Sequence, residues 1–531
     1  MATSHPLSES VYVKDHKVAG RGAFSSTLIP AGVEILNISD PLICIPDNPH
    51  LDTCCHYCMA QATDTTSTSV IHAYEPHVWL SYCLGCKVVK YCTKACQTND
   101  WKRKGHSYEC AIYKALYPKV LPTAARAILR MAKLFLSETI PANKIGGIGA
   151  LKSQLTEFEK AGGETWENVN LIAKATAEYS KLSKKASFEP EFMRDLNCKL
   201  LLNSIATSTQ TFDPVGVSLD YQAAMFNHSC DPNAIIIFDG RQLLLRSLRE
   251  IPKDTEITIS YIDNWLPRVE RQRELSDRYL FKCTCSLCST NPQPLESWLC
   301  KKCRKTAPAT SNICPSCNEV VPEDDFNEAV ALATLVSTSI YVKRQEGIKD
   351  RSIPTMLKLL KSLYGTRLLP PSYHPIPKLH QDLRTDYIIA GDWSAGLKHL
   401  LTLYVRVFPV IYATPYHPVR VVRTFTLAMV LIHVAVSTPE GFGEIDFTKL
   451  MYGLLVEVCG NVDKSHGENS SFARLTKRKM QDVMTDIGID SNREADKWMG
   501  KGLRGIPGLE EEVGKITRIV DQFIEELSKG N

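Results

Sequence analysis

No stretch of this 531-residue chain is continuously apolar over the roughly 18 residues that a membrane-spanning helix requires. The longest strongly apolar run, Phe425 to Val436, contains His433 and reads as a buried helix, so no membrane partner is expected. The opening MATSHPLSES lacks an apolar h-region, which argues against secretion. Charge of one sign is not in excess either. The 62 basic and 58 acidic residues leave a net charge of +4, far from the lopsided balance that marks a nucleic-acid footprint. Phosphate-cradling glycine loops and serine–histidine hydrolase signatures are absent. What remains is ordinary globular composition, 44% hydrophobic and 23% charged, at a length that predicts three or four structural units.

Cysteine, by contrast, is plentiful and patterned. Without a secretion signal, nineteen cysteines are expected to be reduced thiols or metal ligands rather than disulfides. Most fall in pairs two residues apart, the spacing with which one tight knuckle presents two thiolates to a tetrahedral zinc. Between residues 55 and 110 the order is Cys55-x2-Cys58, Cys83-x2-Cys86, Cys92-x3-Cys96 and His106-x3-Cys110, eight ligands for two zincs. Only KVVKY separates the second pair from the third, which suits interleaved sites: Cys55, Cys58, Cys92 and Cys96 on one, Cys83, Cys86, His106 and Cys110 on the other. Cys54 is off the spacing, and Cys44, Cys198 and Cys459 have no visible partners.

The eight-ligand segment resembles a MYND finger, with the YC-x3-C step and the closing H-x3-C. It departs by a polar insert from Met59 to Tyr82, expected to be a surface loop. So small a segment would draw most of its folding energy from its zincs. The resemblance implies a proline-rich peptide as partner, set against a purely structural role.

Upstream, KVAGRGAFSSTLIPAGVEIL reads as a glycine-flanked turn followed by short strands. Downstream, AAMFNHSCDPNAIIIFDGRQLLLRSLREIPKDTEITISY predicts strands around Ile235 to Phe238, Leu243 to Leu245 and Ile257 to Ser260. Cys283-x-Cys285-x2-Cys288 then offers three thiolates without a fourth, and Cys230 in NHSC is the candidate to complete the set.

Together these pieces resemble a SET domain, and with the finger between its halves the chain is similar to the SET-and-MYND (SMYD) family of lysine methyltransferases over residues 8 to 290. The family fold implies that Gly20, Arg21 and Gly22 hold the methionine end of S-adenosylmethionine. It implies that Asn203, Asn227 and His228 line the cofactor site and that Phe281 lies against the adenine. Tyr279 is then a wall of the lysine channel, and Tyr261 stands at the methyl-transfer centre. Where the family often has Lys before GRG, this chain has Ala19. A zinc on Cys230, Cys283, Cys285 and Cys288 would tie NHSC to the tail segment.

Cys300-x2-Cys303 and Cys314-x2-Cys317 have zinc-ribbon spacing and bring the expectation to four zincs. Lys301, Lys302, Arg304 and Lys305 read as a solvated face rather than a nucleic-acid contact. From Glu323 the pattern is helical: Leu397, Leu400, Leu401 and Tyr404 form a stripe after GDWSAG, resembling the TPR-like family tail without a clean 34-residue repeat. Ile128, Met131, Ala132 and Phe135 share a face of an earlier helix.

The expected class is α+β. Residues 8–50 are the first half of the SET domain, 55–110 the finger, 111–215 a helical insert, 216–262 the SET core, 275–290 the post-SET segment, 295–320 the ribbon and 321–531 the helical domain. The implied activity is methyl transfer to the ε-amine of a lysine in a protein substrate, histone or non-histone. The chain is expected to act as a monomer in the nucleus and/or cytoplasm. The competing classes are a non-catalytic MYND and helical adaptor, and a DNA-binding zinc protein, which would require a basic stripe.

Overall fold

The computed structural model describes residues 5–16, 20–62, 78–135, 147–149, 151–263, 265–290, 296–345, 352–436, 439–486 and 509–529. Ala19 and positions 63–77 of the expected surface loop lie outside the described residues. The chain divides into two compact units, the first made of residues 1–262, 272–283 and 470–472, the second of the remainder.

In the first unit, short antiparallel sheets are built from segments far apart in sequence. Val11–Lys14 pairs with His5–Ser8 on one side and Gly22–Ser25 on the other. Gln242–Ser247 lies between Ala234–Asp239 and Glu34–Ile38, so residues on either side of the finger share one sheet. Pro214–Leu219 lies between Ile43–Pro46 and Ile205–Ser208. This last sheet corrects one expected boundary. The helical insert ends with Pro190–Asn203, and 205–219 is sheet rather than part of a helical segment running to 215. Strand pairing with Ile43–Pro46 overrides local sequence there, as sheet propensity commonly yields to tertiary context.

Apolar strand residues such as Ile43, Leu219 and Leu245 share one buried cluster with the helix Thr123–Phe135. Of that helix's expected stripe, Ile128, Met131 and Ala132 are fully buried and Phe135 is half-buried. Arg126 on the same helix donates to Pro46 O at 2.8 Å and Asn48 Oδ1 at 2.9 Å, pinning helix to strand end.

The second unit begins with the hairpin Ser297–Leu299 and Thr306–Pro308. Trp298 is buried there, its indole N–H donating to Ser311 O at 2.9 Å, while Leu299 N donates to Leu368 O at 2.7 Å. Helices follow, and their starts are legible. Ser352, Asp392 and Asp446 each cap a helix by accepting from a backbone N–H three residues on. Leu397, Leu400, Leu401 and Tyr404 are all buried, although the last lies beyond the α-helix Trp393–Thr402 in the π-helical turn Leu403–Val407. The apolar run belongs to Pro418–Val436, a helix long and apolar enough to cross a membrane by length and composition, whose apolar window is mostly buried within the fold. It packs along Phe447–His466.

Candidate active site and metal centres

Four of the Cys-x2-Cys pairs, those starting at Cys55, Cys83, Cys300 and Cys314, close in the same backbone shape. The residue after the second cysteine (Met59, Lys87, Arg304 or Asn318) has φ between 57° and 64°, and its N–H donates to the carbonyl of the first cysteine. Four non-glycine residues in this rarely occupied region mark four knuckles built to aim two thiols at one point.

Those points are shared as the spacing suggested. Cys55, Cys58, Cys92 and Cys96 gather in one set and Cys83, Cys86, His106 and Cys110 in another, the ligand atoms of each within 4.8 Å of one another. The sulfurs of Cys58 and Cys92 are 3.5 Å apart, those of Cys92 and Cys96 3.6 Å, and those of Cys83 and Cys110 3.8 Å. Metal–sulfur bonds of about 2.3 Å in a tetrahedron give edges of about 3.8 Å, so the residues fit zinc. Cys300, Cys303, Cys314 and Cys317 form a third set, with Cys300 to Cys317 at 3.5 Å and Cys303 to Cys314 at 3.6 Å. Cys230 and Cys283, both in the first unit, bring their sulfurs within 4.0 Å. Cys285 and Cys288 belong to the second unit. Cys54 is buried outside every set, with Gln61 Nε2 at 3.2 Å from its sulfur.

Behind the finger's second set lies a buried ionic network that spacing could not reveal. His106 turns Nε2 toward Cys83 Sγ at 3.4 Å and Nδ1 toward Glu109 at 3.6 Å, so the carboxylate orients the ligand ring. Arg130 donates through Nε and Nη2 to Glu109 at 2.7 and 2.6 Å and pairs with Asp100 at 3.0 Å. Asp100 also accepts from Tyr91 at 2.8 Å and meets His56 Nδ1 at 2.9 Å. Burial raises the pKa of Glu109, yet Arg130 overrides it and holds the carboxyl down at about 2. Burial also lowers His56 to about 4, so its ring is neutral at pH 7. Arg130 comes from Thr123–Phe135, so a helix outside the finger neutralises the finger's two buried acids.

The catalytic candidates converge in the first unit. Asn227–His228 pairs in parallel with Thr258–Ile259, which brings NHSC beside the end of ITISY. Asn233 holds the pair together by donating to Glu256 O at 2.8 Å and accepting from Thr258 N at 2.8 Å. His228 Nδ1 accepts from Tyr261 N at 3.0 Å, and its Nε2 lies 3.2 Å from Cys230 Sγ. The rings of His228 and Tyr261 are 5.3 Å apart, those of Tyr261 and Tyr279 5.0 Å, and those of His228 and Phe281 6.1 Å. Leu280, at φ 59°, makes the bend between Tyr279 and Phe281. Gln272 then clamps the following segment, accepting from Cys283 N at 3.0 Å and donating to Cys283 O at 2.7 Å.

Tyr261 donates its hydroxyl proton to Phe226 O at 2.7 Å. Burial, with Tyr279 and Glu256 nearby, raises its pKa, so the group is a neutral phenol whose oxygen still has lone pairs to offer. Burial raises Tyr279 likewise.

At the GRG turn, Gly20 has φ 82°, and a Cβ on Gly22 would sit 2.6 Å from Glu256 Oε1 and 3.0 Å from Asn227 Nδ2. Only glycine leaves that cradle open. Asn227 Nδ2 spans it, with Arg21 O and Glu256 Oε1 both at 2.8 Å. Asn203 turns its amide to the backbone, donating to Lys152 O at 3.0 Å and Lys199 O at 2.8 Å.

Residues 20–262 match the SET domain family. The SET domain and MYND-type zinc finger protein 6 of Schizosaccharomyces pombe is 31% identical over 54% of this chain and 53% of its own length. Mouse histone-lysine N-methyltransferase SMYD3 is 30% identical over 40% of this chain and 49% of its own. Arabidopsis thaliana histone-lysine N-methyltransferase ASHR1 is 23% identical over 88% and 94%. The chain thus spans about half the length of the first two relatives and nearly all of the third. With the finger's ligand sets inserted between the strands of a SET domain, the chain is similar to SET-and-MYND proteins.

Proposed function

We propose that this protein is an S-adenosylmethionine-dependent lysine N-methyltransferase acting on protein substrates. The observation that carries the reading is the Tyr261 hydroxyl, its proton committed to Phe226 O inside a cage of His228, Tyr279 and Phe281. The cofactor supplies a methyl group activated on a sulfonium, so this chain's residues need shape and charge control more than acid or base strength.

An incoming lysine must be neutral to attack. At a reference pKa near 10.4 only about one in a few thousand is neutral at pH 7, a cost of roughly 4 to 5 kcal/mol. The half-buried rings of Tyr261 and Tyr279 lower that cost by stripping water from the ammonium. Tyr261 Oη, its own proton engaged, acts as an acceptor that orients the amine. As a neutral phenol with a raised pKa it is not a general base at pH 7. Gly20, Arg21 and Gly22 hold the methionine end, Asn227 and His228 order the adjoining backbone, and Phe281 offers its ring to the adenine.

Cys230 and Cys283 offer two thiolates to a further zinc, which ties the NHSC segment to the chain after Phe281. The finger takes a proline-rich peptide. The site of action is the nucleus or cytoplasm, compartments that keep thiol ligands reduced.

Methylation of a peptide array with radiolabelled cofactor tests this reading. Label on lysine-containing peptides, lost when the lysine is replaced by arginine, is the expected result. Its absence across a broad protein mixture would favour the adaptor.

A further inference from the structure

Lys152 is a residue that the motifs do not single out, and it reaches the GRG turn from 130 positions away. A Cβ built on Gly20 would meet its Nζ at 2.8 Å and its Cε at 3.2 Å, so the ammonium lies directly against the bare face of that glycine. Asn203 Nδ2 fixes the backbone beneath it through Lys152 O at 3.0 Å. Burial, and then the charge of Arg21, lower its pKa, and burial also lowers that of Arg21. Lys152 and Arg21 thus bring two positive charges to this turn, which favours an anion there. Two residues along the turn the polarity reverses, since Glu256 Oε1 lies 2.6 Å from where a Gly22 Cβ would stand. The turn is therefore positive at one end and negative at the other, the charge pattern of a free amino acid's carboxylate and ammonium. Ala19 brings no charge to it.

We propose that Lys152 is the residue that binds the carboxylate of the cofactor's amino-acid end, with Glu256 fixing its direction from the other side. The proposal rests on the S-adenosylmethionine reading above and deepens it by naming a specificity residue.

The test is a two-by-two binding cycle on the full chain by calorimetry. One axis is Lys152→Met; the other is S-adenosylmethionine against its decarboxylated form, which keeps sulfonium and ammonium and lacks only the carboxylate. Wild type should bind S-adenosylmethionine about ten- to a hundredfold tighter than the decarboxylated form, as suits one hydrogen bond between charged groups. Lys152→Met should lose that difference while its affinity for the decarboxylated form stays within about twofold. Such non-additivity is the signature of direct contact. Lys152→Arg should recover part of the preference, and Lys152→Gln serves as the neutral variant should the Met variant fail to fold. Equal weakening of both ligands by Lys152→Met or Lys152→Gln would overturn the proposal. A folded wild type that binds neither ligand would overturn the cofactor reading beneath it, and the proposal with it.

Discussion

The backbone N–H of Tyr261 donates to Nδ1 of His228 at 3.0 Å, which leaves the ring's proton on Nε2, 3.2 Å from Cys230 Sγ. One imidazole therefore joins the backbone of the proposed transfer residue to a thiol of the proposed post-SET zinc site. Removing it should loosen both ends. His228→Ala is expected to lower turnover ten- to a hundredfold, the equivalent of about 1–3 kcal/mol for a buried hydrogen bond left unmade. Single-turnover methyl transfer measures this, and unchanged turnover would show that Tyr261 is held without His228.

Arg130 faces the two buried acids Asp100 and Glu109. Arg130→Leu leaves both uncompensated, which should cost about 3–5 kcal/mol. Chemical denaturation of wild type and variant should record a lowered midpoint, with zinc released from the finger at lower denaturant. A shift smaller than about 1 kcal/mol would mean that the acids find other partners.

The sequence discloses most where chemistry is local. A Cys-x2-Cys pair needs only its own turn, so Cys55 to Cys110 and Cys300 to Cys317 could be grouped from spacing alone. GRG, NHSC and ITISY were recognisable for the same reason. Arg130, Gln272, Lys152 and Glu256 were not, because each acts on a segment brought near only by folding, even where, as with Glu256 before ITISY, a recognisable motif is adjacent. Ile205–Ser208, reading IATS, has too little apolar alternation to announce a strand and forms one against Pro214–Leu219. Asn203, which the resemblance places at the cofactor site, also donates its amide to Lys152 O, a contact that only folding brings about.

Zinc content offers a further check. The three sets of four ligands that each lie within one unit, together with the proposed Cys230 site, predict four zincs per chain. Elemental analysis of purified protein should approach four, and chelation should unfold the finger and ribbon, whose folding and metal-binding energies are coupled. Two zincs or fewer would contradict the assignment.

Acid should weaken the second unit. Burial lowers His417 to about 4 and His380 to about 3, the latter lying between Tyr364 Oη and His399 Nδ1, each at 2.8 Å. These folded-state values lie below the unfolded value near 6.5, so the stability they contribute is complete above pH 6.5. It is lost as pH falls toward 4 and 3, because the unfolded chain takes up the protons first. At pH 5.5 each such histidine should cost about 1.4 kcal/mol relative to pH 7.5. Thermal unfolding across that interval should show a falling midpoint, and His380→Gln should flatten the dependence. An unchanged slope would remove His380 from the account.

The proposed methyl transfer is tested most directly by Tyr261→Phe. The ring keeps its packing against His228 and Tyr279, while the hydroxyl on Phe226 O is lost. An interaction used mainly in the transition state lowers turnover when removed and leaves cofactor affinity nearly unchanged. Methyl incorporation from radiolabelled S-adenosylmethionine, measured beside cofactor binding and thermal unfolding, should fall at least tenfold in the variant at nearly constant affinity and midpoint. A fully active Phe variant would contradict the role given to Tyr261, and a wild type that binds the cofactor yet transfers no methyl to any protein would contradict the enzyme itself.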